Sequence, residues 1–154
     1  MSLPSLFKPE RESRYAKYIK IGLGVLAGCL VVAALFWVFF RFHSEQTTVA
    51  QFMNDIVAGE FQPAYQMWAK DTSYSYSEFL QDWGPKGYYG PVRSYEIIGT
   101  EEPSDASGVI IIVAVSPFHP FPSENELEKG AQTKDVRLWV QFRDHSISYA
   151  PLVE

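Results

Sequence analysis

Histidines and a single cysteine are the nitrogen and sulfur ligands that this chain could offer to a metal ion. His43, His119 and His145 lie far apart in the sequence, and no two of them have the HxH or HxxxH spacing that brings two imidazoles onto one metal. Cys29 lies within an apolar segment, away from all three. We therefore predict no metal site and no cofactor, and we interpret the histidines as exposed residues of loops.

Carboxylates give an equally weak signal for acid–base catalysis. Asp71, Asp82 and residues 101–102, both glutamates, stand beside predicted turns, where carboxylates commonly cap or solvate the backbone. Asp55 falls on a predicted helix and could face a pocket or solvent. The sequence contains no GxSxG, P-loop or glycine-rich dinucleotide motif. We name no catalytic residue, and a hydrolase or isomerase with a carboxylate-lined pocket is the third hypothesis.

Aromatic residues are the more informative chemical signal. Seven Tyr and Trp residues fall within positions 65–89, and two Phe residues stand among three prolines in residues 116–122. Aromatic rings concentrate in cores, ligand pockets and interfaces, because they offer a large apolar area. We assign Trp68 and Trp83 to the core. The candidate ligand or partner surface comprises Tyr88, Tyr89, Phe118, His119, Phe121 and Trp139.

A long apolar segment precedes these residues. Residues 21–40 contain no charge, and twenty residues in a helix are long enough to cross a hydrocarbon core of about 30 Å. Five basic residues precede this segment and only Arg41 closely follows it, so the N-terminus is predicted to stay in the cytoplasm. The prediction is a basic cytoplasmic leader (1–20), a transmembrane helix (21–40), a juxtamembrane linker (41–46) and an extracytoplasmic domain (47–154).

This segment has a second interpretation. Residues 26–29 read LAGC, which is similar to the lipobox of bacterial lipoproteins, where the cysteine is lipidated. The apolar stretch continues past Cys29 to Phe40, whereas a lipoprotein becomes polar just after its cysteine. We therefore favour an uncleaved signal anchor that crosses the cytoplasmic (inner) membrane once and carries a periplasmic domain. Lipidation of Cys29 remains the alternative.

Charge differs sharply between the two parts of the chain. Residues 1–42 have a net charge of +4, whereas residues 43–154 contain 7 basic and 16 acidic residues, a net charge of −9. Binding to phosphate backbones depends on clustered Lys and Arg, which the acidic part lacks. We exclude nucleic acid as a partner. The predicted partners are the lipid bilayer and other membrane protein subunits.

Helical periodicity comes first in the acidic part, and strand periodicity follows. In residues 135–143 polar and apolar side chains alternate, which places Val136, Leu138, Val140 and Phe142 on one face. Residues 109–115 are apolar throughout, as in a central strand covered on both faces. Strands are predicted over residues 92–100, 109–116, 135–143 and 147–152. Three helices are predicted. The first begins at a Thr47 or Thr48 cap and ends at Gly59, and the second covers residues 62–69. The third runs from a Ser75 or Ser77 cap to Gly84.

Helices followed by antiparallel strands predict an α+β domain, with helices packed on one face of a curved, cone-like antiparallel sheet. The segments FMNDIVAGEFQPAYQMW, YSEFLQDWG and VRSYEIIG, in this order, resemble the cystatin-like or nuclear transport factor two-like cone superfamily. More narrowly, they resemble its bacterial single-span membrane members of unknown function. The similarity covers residues 47–152 and implies a fold, not an activity. Family members often end in a tryptophan-containing strand, whereas this chain reads SISYAPL.

The sequence thus indicates where the domain is located more clearly than which reaction or ligand it serves. The first hypothesis is a non-enzymatic, membrane-tethered binding or interaction domain, such as an accessory or assembly subunit of a membrane complex. The second is a carrier or sensor of an apolar small molecule held in the cone cavity.

Overall fold

A computed structural model of the chain describes residues 14–70, 73–104, 106–128 and 130–151. Residues 1–13 of the predicted leader, Asp71 and the end of the last predicted strand lie outside the described residues. Contacts divide the chain into two units, Met1–Arg41 and Phe42–Glu154. We describe each unit separately.

The first unit contains one long helix, α1 (Arg14–Phe40). It is long and apolar enough to cross a membrane, and none of its residues is buried. The helix begins before the uncharged segment, because Ala, Lys and Arg at its start are good helix formers. Cys29 is exposed on α1 as a free thiol.

The second unit opens with helix α2 (His43–Ala58), whose start differs from the prediction. Thr47 and Thr48 do not cap it, because their hydroxyls donate to the carbonyl oxygens of His43 and Ser44, at distances of 2.7 and 3.0 Å. The segment predicted as a linker is therefore helical from His43 onward. Gly59 ends α2 in a left-handed conformation (φ 77°), as predicted.

Two short helices follow, α3 (Phe61–Gln66) and α4 (Tyr76–Trp83). Ser75 caps α4, since its N–H donates to the Glu78 carboxylate (2.6 Å) while the Glu78 N–H donates to its hydroxyl (3.3 Å). The prediction that the middle helix continues to residue 69 is wrong. Instead, Trp68 forms a parallel bridge with Ile147, and so ties the end of α3 to the last strand.

Four antiparallel strands form one open sheet in the order β1-β2-β3-β4, which confirms the α+β prediction. β2 is central, and all its residues are buried except the half-buried Ile112, as expected of a strand covered on both faces. Phe142, predicted to face the core, lies beyond the end of β3 in a turn and is 37% exposed. A short helix, α5, is an element that the sequence pattern does not predict. These elements are β1 (Ser94–Glu101), β2 (Gly108–Ser116), α5 (Glu124–Glu128), β3 (Lys134–Gln141) and β4 (Ile147–Tyr149).

Aromatic rings fill the space between α2, α3, α4 and one face of the sheet. Phe52 on α2 is fully buried, and its ring centroid lies 5.9 Å from Trp68, 6.1 Å from Phe79 and 5.2 Å from Trp83. The prediction that Trp68 and Trp83 belong to the core is confirmed. The contacts with Phe79 and Trp83 are edge-on and that with Trp68 is tilted, and such ring contacts add to the stabilisation by burial of apolar area.

Hydrogen bonds fix the direction of α2 on the sheet. Gln46, near the start of α2, donates to Thr100 near the end of β1 (3.1 Å), and the Tyr95 hydroxyl at the start of β1 reaches Asn54 (2.9 Å). We call the end of the domain at which its first residue, Phe42, stacks on Phe142 the proximal end. The opposite end, where β1 begins, is the distal end. At about 3.3 Å per residue, β1 separates these ends by about 25 Å.

β1 lies at the edge of the sheet and pairs with β2 alone among the described strands. Its register shifts between Ile97 and Gly99, which leaves Ile98 out of the pairing and 51% exposed. Glu96 and Glu101 are exposed on the same strand. A bulge and charged side chains on an edge strand both oppose pairing with another chain.

Candidate functional site

A proline-rich loop at the distal end displays Phe118. Its backbone is held on both sides, because the Phe118 N–H donates to the Ser116 hydroxyl (3.1 Å) and the Ser94 hydroxyl donates to the Phe118 carbonyl (2.5 Å). Ser116 itself is buried at the end of β2. The Phe118 ring is nevertheless 53% exposed. The structure thus presents a large apolar side chain on a backbone that is fixed to the sheet.

Phe118 lies on the wall of a groove of about 490 Å³, which we call the distal groove. One wall comes from the proline-rich loop and the other from α5 and the residues after it. The described lining residues are Phe118, His119, Pro120, Pro122, Glu126, Gly130 and Ala131. Phe121, the remaining predicted residue of this loop, is half-buried and does not line the groove.

The α5 side of the distal groove is acidic. The Glu126 carboxylate accepts hydrogen bonds from the Ser123 N–H and hydroxyl, both at 2.8 Å, and these bonds lower the pKa of Glu126 below its ordinary value. Glu124 and Glu128 are exposed on the same helix. Of the three glutamates of α5, only Glu126 is among the residues that line the groove, whose other walls are mainly apolar.

Tyr88 and Tyr89 have different surroundings. Tyr88 is 65% exposed; the Lys134 ammonium lies 4.4 Å from its ring centroid and also donates to its carbonyl oxygen. Tyr89 is half-buried and stacks on Trp83 with centroids 4.8 Å apart, and burial raises the pKa of its hydroxyl. Tyr88 thus belongs to the exposed distal surface, whereas Tyr89 packs inward against the core.

Trp139 lies on the sheet face opposite the helices and does not line the distal groove. Its indole covers the backbone of Gly108, where an added Cβ would come within 2.7 Å of the ring and 2.4 Å of the Val140 carbonyl oxygen. The ring is half-buried there. The sequence prediction groups Trp139 with loop residues from which the structure separates it.

A tyrosine–aspartate cluster, made of Tyr74, Asp82 and Tyr149, is a second feature, which the sequence does not predict. The hydroxyls of Tyr74 and Tyr149 donate to the same Asp82 oxygen, at distances of 2.5 and 2.8 Å. The two hydroxyl oxygens lie 3.2 Å apart. Burial raises the pKa of both hydroxyls above the ordinary range of tyrosine, and the hydrogen bonds to Asp82 raise it further. The cluster joins α4 to β4, so the Asp82 carboxylate has a structural role, as the hydrogen-bond acceptor of both tyrosines.

The other candidate acid–base residues do not meet. Asp55 is half-buried on α2, whereas His119 is exposed in the distal loop. Glu101 forms an ion pair with Arg137. In the described ranges, no group of three or more His, Cys, Asp or Glu side chains is arranged to hold a metal ion.

A polar cleft of about 700 Å³ lies at the proximal end, between α2, the end of α3 and the β3–β4 turn. Three glutamines, Lys70, Asp144 and His145 are among its lining residues. The His145 imidazole lies 3.8 Å from a carboxylate oxygen of Glu45, which is only 6% exposed. The other Glu45 oxygen is buried and has no hydrogen-bond partner among the described residues.

Comparison of the chain with protein-family models, with curated proteins and with solved structures finds no match. The structure shows an α+β chain with a long apolar N-terminal helix and, among the described residues, a four-stranded antiparallel sheet.

Proposed function

We propose that this chain is a non-enzymatic, membrane-tethered interaction domain that binds another membrane-associated protein through its distal end. The observation that carries the proposal is the display of Phe118 beside the distal groove, on a backbone held by Ser94 and Ser116. Exposed aromatic residues next to a pocket are typical anchors of protein interfaces. A fixed backbone also reduces the entropy lost on binding.

Its proposed placement follows from the first unit. We propose that α1 is an uncleaved signal anchor in the cytoplasmic (inner) membrane, with the N-terminus inside and the domain in the periplasm. The length and apolar composition of α1 support a membrane span, and the five basic residues that precede residues 21–40 support an N-terminus on the inside. The lipid bilayer is then the first partner and other membrane protein subunits are the second. Lipidation of Cys29 remains the alternative mode of attachment.

The position of the distal groove agrees with such a role. Phe42, the first residue of the domain, lies at the proximal end, whereas Phe118 lies at the opposite end of the sheet. Phe42 and the distal groove therefore lie at opposite ends of the second unit. We also propose that the domain is a member of the cone superfamily, for which the order of helices and strands is the support.

The two alternative functions receive less support. A carrier of an apolar ligand needs an internal cavity, whereas Phe52, Trp68 and Phe79 pack together between the helices and the sheet. A hydrolase needs neighbouring acid and base groups, whereas Asp82 is bonded to two tyrosines and His119 lies on a separate loop.

Site-specific photo-crosslinking tests the proposal in cells. A benzophenone amino acid replaces Phe118 in the full chain, and a matched variant carries it at Ile98, which is 51% exposed on β1 and so collides equally often with bystander proteins. We expect a discrete protein adduct from position 118 and none from position 98. Native mass measurement in mild detergent is expected to show the same complex. Identical diffuse labelling at both positions, with a monomer in detergent, would contradict the proposal.

A further inference from the structure

We propose that Glu45 and His145 form a proton-operated latch, in which a charged His145 imidazole closes onto the Glu45 carboxylate and ties the β3–β4 turn to the first turn of α2. The latch lies at the proximal end of the domain and does not depend on the distal groove. Three observations carry it, namely the burial of Glu45, an oxygen of Glu45 without a partner, and the position of His145.

Glu45 is a carboxylate in a position that the fold otherwise fills with apolar side chains. It lies on the buried stripe of α2, with Val49 and Phe52, and is itself only 6% exposed. One of its carboxylate oxygens has no hydrogen-bond partner among the described residues. A buried carboxylate is costly without a partner, because folding removes its water and supplies no bond in return. The folded state therefore gains stability when a positively charged donor reaches Glu45.

His145 is the one basic side chain that the described residues place within ion-pair distance of Glu45. Its Nδ1 lies 3.8 Å from a Glu45 oxygen. A charged N–H···O bond is about 2.7–2.9 Å long, so the imidazole has to move by about 1 Å to form one. The His145 side chain is 44% exposed, so packing does not lock its ring on all sides. The structure thus shows the latch open, a short movement away from closure.

The backbone of the turn holds the imidazole beside α2. The His145 N–H donates to the Gln141 carbonyl (2.9 Å), and the Ser146 N–H donates to the Asp144 carboxylate (3.0 Å). His145 itself has a left-handed conformation (φ 53°), which glycine and asparagine adopt at lower cost than most residues. Asparagine at position 145 is therefore expected to keep the turn while it removes the titratable ring.

Other charged groups near the cleft do not replace His145. Lys70, after α3, and Asp144 line the same polar cleft as His145, and Arg143 precedes them both in the turn. His43 is a second imidazole on the first turn of α2. In the part of the chain that the structure describes, none of these four groups forms an ion pair with Glu45.

Closure of the latch acts on the polar cleft of about 700 Å³ at the proximal end. Thr48 and Gln51 of α2 line one side of this cleft, and Asp144, His145 and Ser146 of the turn line another. A bond between Glu45 and His145 draws these two sides together, so acidification narrows the cleft and immobilises the turn. Because unperturbed imidazoles gain a proton near about pH 6.5, the bond is present below this pH and is lost as the pH rises through it.

Urea unfolding of the full chain in nanodiscs tests the latch through its pH dependence. Unperturbed imidazoles are charged at about pH 5.5, where carboxylates remain ionised, and are neutral at about pH 8. On acidification between these values, we expect the urea midpoint of the wild type to rise by about 0.5 M relative to His145→Asn. In a Glu45→Gln background, His145→Asn should have the same effect at both pH values. His43→Asn and His119→Asn, the matched controls, should respond to pH as the wild type does.

Nuclear magnetic resonance of histidines labelled with ¹⁵N in the ring tests the contact itself, without reference to stability. In acid, we expect the Nδ1 proton of His145 to be protected from exchange with water in the wild type, and to lose this protection in Glu45→Gln. A wild-type midpoint that responds to pH as His145→Asn does, or an unprotected Nδ1 proton in the wild type, would overturn the inference. Both of these outcomes can be read even if Glu45→Gln does not fold.

Discussion

Replacing Tyr149 by phenylalanine tests whether the tyrosine–aspartate cluster stabilises the domain. Tyr149→Phe keeps the ring that packs on Trp68, with centroids 4.9 Å apart, and removes the hydroxyl that donates to Asp82. A hydrogen bond to a charged group contributes about 1.5–3 kcal/mol. Because these side chains are only partly buried, we expect a loss near the lower limit, about 1.5 kcal/mol. For a domain of about a hundred residues this lowers the melting temperature by roughly 6 °C.

Alkaline pH gives the same variant a second readout. The pKa values of Tyr74 and Tyr149 are raised in the folded domain, so the folded state holds these protons more tightly than the unfolded chain, where tyrosine titrates near pH 10. Their contribution to stability is therefore complete below about pH 10 and is lost as the pH rises above it. Tyr149→Phe removes one of the two groups. The difference in stability between wild type and variant should thus narrow above about pH 10.

Urea unfolding of the full chain in nanodiscs, followed by the fluorescence of the buried Trp68 and Trp83, measures both effects. Tyr88→Phe is the matched control, because it removes a hydroxyl from an exposed ring and should change stability by less than about 0.5 kcal/mol. If Tyr149→Phe costs no more than Tyr88→Phe, or if the difference persists unchanged at high pH, the cluster does not stabilise the fold as described.

A core, a packing and a capping substitution extend these tests, each with thermal or urea unfolding as the measurement. Phe52→Ala should cost about 3–5 kcal/mol, because it removes the ring at the centre of the core, and a loss below about 1 kcal/mol would contradict that position. Gly108→Ala should cost about 1–3 kcal/mol, since the new Cβ meets both the Val140 carbonyl oxygen and the Trp139 ring; no loss would contradict this close packing. Ser75→Ala should destabilise α4 at neutral pH. Part of its effect should be lost as acid protonates Glu78, whose pKa is lowered by its bonds to Ser75; an effect independent of pH would show that the Ser75 hydroxyl does not bond the Glu78 carboxylate.

Element boundaries could be predicted where a side chain acts on its own backbone. Gly59 ends α2 and Ser75 begins α4, because a left-handed turn and a capping hydroxyl are local properties. Thr47 and Thr48 carry the same hydroxyl, yet each donates to the carbonyl four residues before it. Which bond a threonine makes depends on whether the preceding residues are already helical, and a residue pattern at that position does not determine this.

The candidate site was less predictable than the fold. The composition of the distal loop indicated Phe118 and His119, but its opposite wall is α5, which is too short to show helical periodicity. The tyrosine–aspartate cluster joins Asp82 to a residue 67 positions away, and no local pattern signals such a pair. Sequence reasoning thus identified side chains suited to binding, whereas the walls around them depend on contacts between distant segments.

The bulged edge of β1 affects how neighbouring copies of this chain can pair with one another. Under the membrane attachment proposed above, copies would diffuse in a plane, where encounters between neighbours are more frequent and more similarly oriented than in solution. A straight, uncharged edge would turn such encounters into side-by-side growth of one sheet across many copies. The register shift at Ile97 and Gly99, with the carboxylates of Glu96 and Glu101, removes the straight template. Under that attachment, crowding in the plane of the bilayer would therefore not lead to lateral polymers, and each copy would keep its groove available to the proposed partner.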